Sequence, residues 1–135
     1  RSTLFPYTTL FRSPYRPRGR GCIFLTGATA SVRASVGYAA FASAKFGLRA
    51  VAQSAARELG PRNIHVAHLI IDAGVDTAFV RERIKVAGGE EALANIKPDQ
   101  LMRPESVAEA YWALYQQPRD AWTFEHEIRP FAEKW

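Results

Sequence analysis

The strongest constraint on the fold comes from residues 22–71, where two short apolar runs flank a long segment with helical periodicity. The first run, Cys22–Thr26, is rich in strand-forming residues. The second, Ile64–Ile71, is almost continuously apolar, which is typical of a strand buried on both faces of a parallel sheet. Between them, apolar residues recur every three or four positions over residues 38–59, which predicts a helix ended by Gly60. A strand, a crossover helix and a parallel strand form a right-handed βαβ unit, so the sequence predicts an α/β fold.

The sequence after this unit predicts two shorter helices and one more strand. A helix over residues 78–86 would have Thr77 as its N-cap and would be interrupted at the following Gly-Gly pair, after which residues 90–96 could form another turn or two of helix. A last helix is predicted over Val107–Gln116, with Pro104 suited to its first turn. Trp122–Ile128 alternates apolar and polar residues and predicts a final strand. The expected architecture is therefore three strands joined by crossover helices.

The positive charge of the chain is concentrated at its N-terminal end. The formal net charge is +5, but residues 1–20 contain five of the 18 basic residues and no acidic residue. Residues 21–135 then hold 13 basic and 13 acidic residues, so their net charge is zero. A nucleic-acid-binding domain normally carries a basic patch of its own. The charge distribution therefore argues against a nucleic-acid partner for residues 21–135.

The first residues differ in character from the rest of the chain. Residues 3–13 resemble the translation of a common short-read sequencing adapter, and residues 1–20 lack both helical and strand periodicity. We therefore expect residues 1–20 to be an artefactual or disordered leader and residues 21–135 to be a partial domain. The alternative is a basic arm that binds phosphate or an acidic surface.

Several functional classes are disfavoured by the residue types that the chain contains. The apolar runs are too short to span a bilayer, which argues against a membrane protein. The single cysteine, Cys22, permits no internal disulfide, so a reducing, cytoplasmic location is expected. His65 and His68 are three residues apart on a predicted strand and would point to opposite faces, so neither they nor the distant His126 predict a metal site.

Several short motifs follow one another over residues 21–128. A strand and a Ser/Thr-rich loop precede a helix that contains Phe41–Lys45, and the segments Arg57–Gly60, Ile64–Val66 and Asp72–Thr77 come after it. In this order and spacing they resemble the C-terminal half of a short-chain dehydrogenase/reductase. The resemblance implies half of a Rossmann-like doubly wound parallel sheet and NAD or NADP as cofactor. It also implies reversible hydride transfer between the nicotinamide and an alcohol or carbonyl of a small-molecule substrate.

The resemblance assigns roles to three residues of the long helix. In the family, a tyrosine four residues before a lysine transfers a proton, and the lysine lowers the tyrosine's free pKa of about 10. Lys45 occupies the lysine position, where it would also bind the nicotinamide ribose, but Phe41 occupies the tyrosine position. A phenyl ring has no ionisable proton, and losing proton transfer costs about 10²–10⁴-fold in rate. Tyr38 is a candidate to replace the missing phenol; alternatively, it packs at the helix entrance.

Two loops complete the site that the resemblance implies. The family's serine lies thirteen residues before the tyrosine, which corresponds to Ala28, so the adjacent Thr29 could take its role or merely satisfy a turn. The family's Pro-Gly pair after the next strand is replaced by a pair that begins with Asp72. The backbones of Val75 and Thr77 could still contact the nicotinamide. The Asp72 carboxylate would either stand near the ring or cap the following turn.

The resemblance leaves two hypotheses about function. The family's glycine-rich phosphate loop has no counterpart here, so the phosphate-binding half of the cofactor site is missing. The first hypothesis is a fragment of an NAD(P)-dependent oxidoreductase that is impaired or inactive as given. The alternative is a non-catalytic scaffold or dimerising protein. In this family the helix at residues 38–59 commonly packs against its copy, so a homo-oligomer is expected, with small residues allowing close approach. These residues are Ala39, Ala40, Ala42 and Ala44.

Overall fold

The centre of the molecule is a parallel sheet of three strands. The computed structural model describes residues 19–133, so the adapter-like residues 3–13 lie outside the described part. The strands are β1 (Gly21–Ala28), β2 (Ile64–Ile71) and β3 (Glu125–Ile128), and they lie in the order β1-β2-β3. Both pairings are parallel. The predicted α/β fold with a parallel sheet and crossover helices is confirmed.

Strand β2 is the middle strand, and seven of its eight residues are buried. This agrees with its nearly continuous apolar sequence. The last strand is shorter than predicted, since only Glu125–Ile128 pairs with β2. Before it, the Trp122 ring stacks on the His65 ring at 5.0 Å, and the Thr123 carbonyl lies 2.8 Å from His65 Nε2. Contacts of the His65 ring therefore hold Trp122 and Thr123 beside β2, and backbone pairing begins at the Phe124 carbonyl, which accepts from His68 N at 2.7 Å.

A helix covers each face of the sheet. Helix α1 (Ala39–Leu59) packs on one face, where Leu59 and its helical neighbour Ala55 contact Ile64 and Val66 of β2. Its bounds confirm the helix predicted over residues 38–59. On the other face, Leu114 packs against Ala67 and Leu69. Side chains alternate between the faces of a strand, so β2 contributes to both layers of the core.

Two further helices lie between β2 and β3. They are α2 (Ala78–Ala94) and α3 (Pro104–Tyr115). The hydroxyl of Thr77 accepts a hydrogen bond from Val80 N, which confirms Thr77 as the N-cap. Gly89 has a φ of 74°, so the predicted interruption is present, and the helix resumes after it and continues to Ala94, as predicted for residues 90–96. Pro104 occupies the first turn of α3, as predicted. Among residues 19–133, no helix is long and apolar enough to cross a membrane.

Candidate active site

The register of the sheet brings the carboxyl ends of the three strands together. Ala28 of β1 is paired with Ile71 of β2, and Ile71 is paired with Ile128 of β3. The next residues along the chain are Thr29, Asp72 and Arg129. In open α/β sheets, ligands bind at this edge because the loops that follow the strands converge there. The candidate site is therefore built on the loops after β1 and β2.

A buried carboxylate ties these loops together. The Asp72 side chain is only 1% exposed, and its Oδ1 accepts the Thr29 hydroxyl at 2.5 Å. Nη2 of Arg33 donates to both carboxylate oxygens, at 3.0 and 3.1 Å. Nη2 of Arg129 lies 3.2 Å from Oδ2 and also contacts Glu127. The charge of Asp72 is thus compensated by two guanidinium groups, and one side chain fixes the positions of three others.

The position of Asp72 bears on the two roles considered for it. Thr77 caps the next helix, and within residues 19–133 the hydrogen bonds of the Asp72 carboxylate go to Thr29 and Arg33, with none to the turn that follows β2. Its carboxylate is almost entirely enclosed by Thr29 and the two arginines. An interaction with a nicotinamide ring stays a prediction. What the contacts establish is that Asp72 orients Thr29 and Arg33.

Helix α1 directs Lys45 to the end of β1. Nζ of Lys45 donates to the backbone carbonyl of Thr26 at 2.9 Å. The same ammonium lies 5.7 Å from the centre of the Phe41 ring, as expected for residues four apart on one helical face. The structure therefore brings the Lys45 ammonium and the Phe41 ring together, and their correspondence to the family's lysine and tyrosine stays a prediction.

Tyr38 stands at the entrance to α1 as its N-cap residue. Its N–H donates to the Ser35 carbonyl at 3.1 Å, and its own carbonyl accepts from Ala42 N at 2.8 Å. The phenol side chain is about half exposed. The backbone contacts fit a residue that starts a helix, and the possibility that its phenol replaces the missing proton donor stays a prediction.

In the loop after β2, the backbone N–H and carbonyl of Val75 face away from the adjacent segment at Met102. Val75 forms an isolated parallel bridge with Met102, and Met102 N donates to the Gly74 carbonyl while Asp76 N donates to the Met102 carbonyl. In this bridge the hydrogen bonds are made by the backbone of Gly74 and Asp76. The N–H and carbonyl of Val75 therefore point away from Met102. A contact between these groups and a nicotinamide stays a prediction. The hydroxyl of Thr77 accepts the capping hydrogen bond from Val80 N, which uses one of its lone pairs.

A second polar network lies beneath the site. Arg49 of α1 donates to Glu125 of β3 through Nε and Nη2, both at 2.7 Å, and Nδ1 of His68 lies 3.1 Å from the same carboxylate. The hydrogen bond from Arg49 is the main cause that lowers the pKa of Glu125, and His68 adds to it. The same hydrogen bond raises the pKa of Arg49. The network joins α1 to the two strands β2 and β3.

The three histidines occupy separate environments. His65 lies on the face of Phe24 and Trp122, whereas His68 lies on the face of Glu125, as expected for positions of opposite parity on a strand. His126 is exposed. No group of three or more potential metal ligands occurs within residues 19–133.

The sequence did not single out the arginines of the site. Arg33 is 39 residues from Asp72, and Arg49 is 76 residues from Glu125, so no local pattern pairs them. One signal was present: Arg129 directly follows the last strand, at the same edge as Asp72. Charged residues immediately after parallel strands are expected to meet.

Comparison with known proteins assigns the chain to a family. A family model described as enoyl-(acyl carrier protein) reductase matches residues 5–124. A solved short-chain dehydrogenase from Rhodopseudomonas palustris is 55% identical to the chain, with a TM-score of 0.61. The match covers 85% of this chain and 41% of that protein. The chain belongs to the short-chain dehydrogenase/reductase family, which is a family of oxidoreductases.

More distant relatives share the fold. A serine dehydrogenase complexed with NADP+ is 20% identical, with a TM-score of 0.73 over 95% of this chain and 51% of its own. An actinorhodin polyketide ketoreductase with NADPH is 22% identical, with a TM-score of 0.69 over 85% of this chain and 48% of its own. The chain therefore spans about half the length of the solved relatives that it matches. No curated protein sequence matches the chain significantly.

Proposed function

We propose that the chain forms the C-terminal half of an NAD(P)-dependent oxidoreductase that transfers hydride to or from a small alcohol or carbonyl compound. The position of Lys45 carries this proposal. Its ammonium lies 2.9 Å from the Thr26 carbonyl at the end of β1, on the sheet edge that also holds Thr29 and Asp72. That is the edge where ligands bind in sheets of this kind.

Two residues of the chain would hold the cofactor. The Lys45 ammonium is a donor suited to ribose hydroxyls, and the outward backbone groups of Val75 are suited to the nicotinamide carboxamide. The bound cofactor would supply the hydride acceptor or donor. Solved relatives bound to NADP+ and NADPH support a nicotinamide cofactor for this chain as well.

Proton transfer is the impaired step in this proposal. Phe41 stands where the family has its tyrosine and offers no proton, so we expect turnover to be low. The ammonium of Lys45 faces the phenyl ring, and a phenol introduced there would lie beside a positive charge that favours its ionised form.

The first experiment measures cofactor binding by titrating the chain with NADH and with NADPH while following nicotinamide fluorescence. We expect saturable binding of at least one cofactor, and a loss of about tenfold in affinity in Lys45→Met because a charge-assisted hydrogen bond is removed. Lys85→Met is the matched control, since Lys85 lies on α2 and pairs with Glu90 at the surface. Absence of binding of both cofactors to the unmodified chain would refute the oxidoreductase proposal for this chain.

The second experiment restores the phenol. We expect Phe41→Tyr to raise carbonyl-dependent NAD(P)H oxidation by about 10²–10⁴-fold, the usual contribution of a positioned general acid. Phe41→Leu is the control, because it changes the packing without adding a proton donor. Tyr38→Phe should lower the residual activity of the unmodified chain if Tyr38 supplies a proton, and unchanged activity would remove Tyr38 from the site.

A non-catalytic scaffold is the second candidate, and the surface of α1 favours it. Phe41 and Phe46 are both more than 40% exposed, and Ala39, Ala40 and Ala44 are exposed as well. Ala42 is buried within the subunit, so it is not available for a contact with a second copy. We expect sedimentation to reveal a dimer that Phe46→Glu dissociates. A dimer that binds neither cofactor would favour the scaffold.

A further inference from the structure

We propose that Asp72 is a positioning residue that turns Thr29 into a hydrogen-bond acceptor, so that the site prefers a substrate oxygen carrying a proton. The favoured ligand is then an alcohol, and the matching ketone binds less well. This inference rests on the proposed function, because it names the substrate class of the same site. The observation behind it is the 2.5 Å hydrogen bond from the Thr29 hydroxyl to Oδ1 of Asp72.

The Thr29 hydroxyl carries a single proton, and its partner decides what remains for a ligand. A threonine hydroxyl has one proton and two acceptor lone pairs, whereas an ionised carboxylate can only accept. The Thr29 proton is therefore committed to Asp72. The Thr29 oxygen can therefore only accept a hydrogen bond from a ligand, and an O–H group can donate one.

The other partners of Asp72 keep its carboxylate an acceptor. Arg33 donates to both oxygens, and Arg129 lies 3.2 Å from Oδ2. Guanidinium N–H groups can only donate, so each of these contacts uses lone pairs on the Asp72 oxygens. With the carboxylate 1% exposed, water has little access to replace these partners. The Thr29 hydroxyl is thus held in one orientation.

The absence of a phenol strengthens the preference. A phenol at position 41 could donate to a carbonyl oxygen, but Phe41 cannot. Arg33 is a competing donor beside Lys45, since its side chain is 43% exposed and its hydrogen bonds within the described residues all use Nη2. A test must therefore separate recognition by Thr29 from recognition by Arg33.

The experiment compares cyclohexanol with cyclohexanone, which are similar in shape and differ in the proton on oxygen. Dissociation constants are measured by ligand-observed NMR on the full chain, with and without NAD+. We expect cyclohexanol to bind about 3- to 10-fold more tightly, as one hydrogen bond allows. Thr29→Val should abolish the preference, and Thr29→Ser should retain it.

Two further variants assign the preference to Asp72. In Asp72→Asn, an amide N–H can donate to the Thr29 oxygen and free the hydroxyl proton, so we expect the preference to disappear or reverse. Lys85→Met, on the surface of α2 and outside the site, is the control and should leave it unchanged. Circular dichroism checks that each variant is folded, and the two Thr29 variants decide the question if Asp72→Asn unfolds.

Equal binding of the two probes, tighter binding of the ketone, binding of neither, or a preference that survives Thr29→Val would each overturn the inference. The outcome is separable from that of the oxidoreductase proposal. Cofactor binding without the alcohol preference contradicts only the role of Thr29 and Asp72. An alcohol preference in a chain that binds no nicotinamide cofactor contradicts only the oxidoreductase proposal.

Discussion

Helices α1 and α2 are the two longest in the described chain, but they are held in different ways. Helix α1 packs along the sheet, and its buried residues are Ala42, Ala52, Ala55 and Leu59. Helix α2, all of which the structure describes, has no buried residue. Its Phe79 and Val86 are 69% and 78% exposed. Packing therefore fixes α1, whereas α2 depends on its N-terminal cap and on the loop before it.

This difference divides the candidate site into two halves. Lys45 is carried by α1, which packs on the buried core, and Thr29 is held by the buried Asp72. Val75 and Thr77 lie in the loop that leads into α2. Segments with few buried contacts open locally at low free energy. The second half of the site should therefore be the more mobile one.

The largest expected effect comes from removing core packing under α1. Leu59 is 4% exposed and contacts Ile64 and Val66, so Leu59→Ala should lower the free energy of unfolding by about 3 kcal/mol. Val86→Ala on α2 is the matched control and should change it by less than about 0.5 kcal/mol. Urea unfolding followed by circular dichroism measures both, and similar losses in the two variants would contradict the division.

The next effect tests the close packing beneath the site. A Cβ at Gly27 would lie 2.5 Å from Nε2 of His68, a side chain that is completely buried. We expect Gly27→Ala to cost about 2–3 kcal/mol, because an overpacked core must shift. Gly47→Ala on α1 is the opposite case, since nothing lies within 4 Å of its Cβ position. It should stabilise the protein by about 0.5–1 kcal/mol through its better helix propensity. Thermal unfolding would give shifts of opposite sign.

A smaller effect is expected at the network that joins α1 to the sheet. Glu125 accepts two hydrogen bonds from Arg49 and one from His68, so Glu125→Gln should cost about 1–2 kcal/mol at neutral pH. Because Arg49 lowers the pKa of Glu125 in the folded protein, the unfolded chain binds more protons. The stabilisation is therefore present above the ordinary carboxyl pKa of 4.5 and is lost as the pH falls through the lowered folded value.

The pH dependence of this effect provides its own control. The difference in unfolding free energy between the unmodified chain and Glu125→Gln should shrink as the pH is lowered below 4.5. A difference that stays constant over the same range would mean that the charge of Glu125 contributes nothing.

The sequence predicted the elements that pack and missed the contacts between distant charges. Strand β2 was predicted at its observed bounds because burial on both faces leaves a continuous apolar pattern. The last strand was predicted too long because Trp122 alternates correctly but contacts His65 through its ring. The alternation of apolar and polar residues indicates which side chains are buried. It does not distinguish burial by backbone strand pairing from burial by an aromatic ring contact.

The candidate site was predictable to the same limited extent. Lys45 and Phe41 are four residues apart, so helical geometry alone brings them together. The hydrogen bond between Thr29 and Asp72 joins residues 43 apart and depends on the register of β1 with β2. That register is a property of the sheet, and no local pattern contains it.

The smallest expected effect is at the cap of α2. The Thr77 hydroxyl accepts from Val80 N, so Thr77→Ala should cost about 1 kcal/mol of local stability. Because α2 is not part of the core, we expect faster amide hydrogen exchange within α2 and little change in β2 or α1. Thr123→Ala is the control, because its hydroxyl accepts from Gln117 outside α2. Exchange that accelerates equally in all elements would show that α2 unfolds only with the whole molecule, and the two halves of the site would then have the same stability.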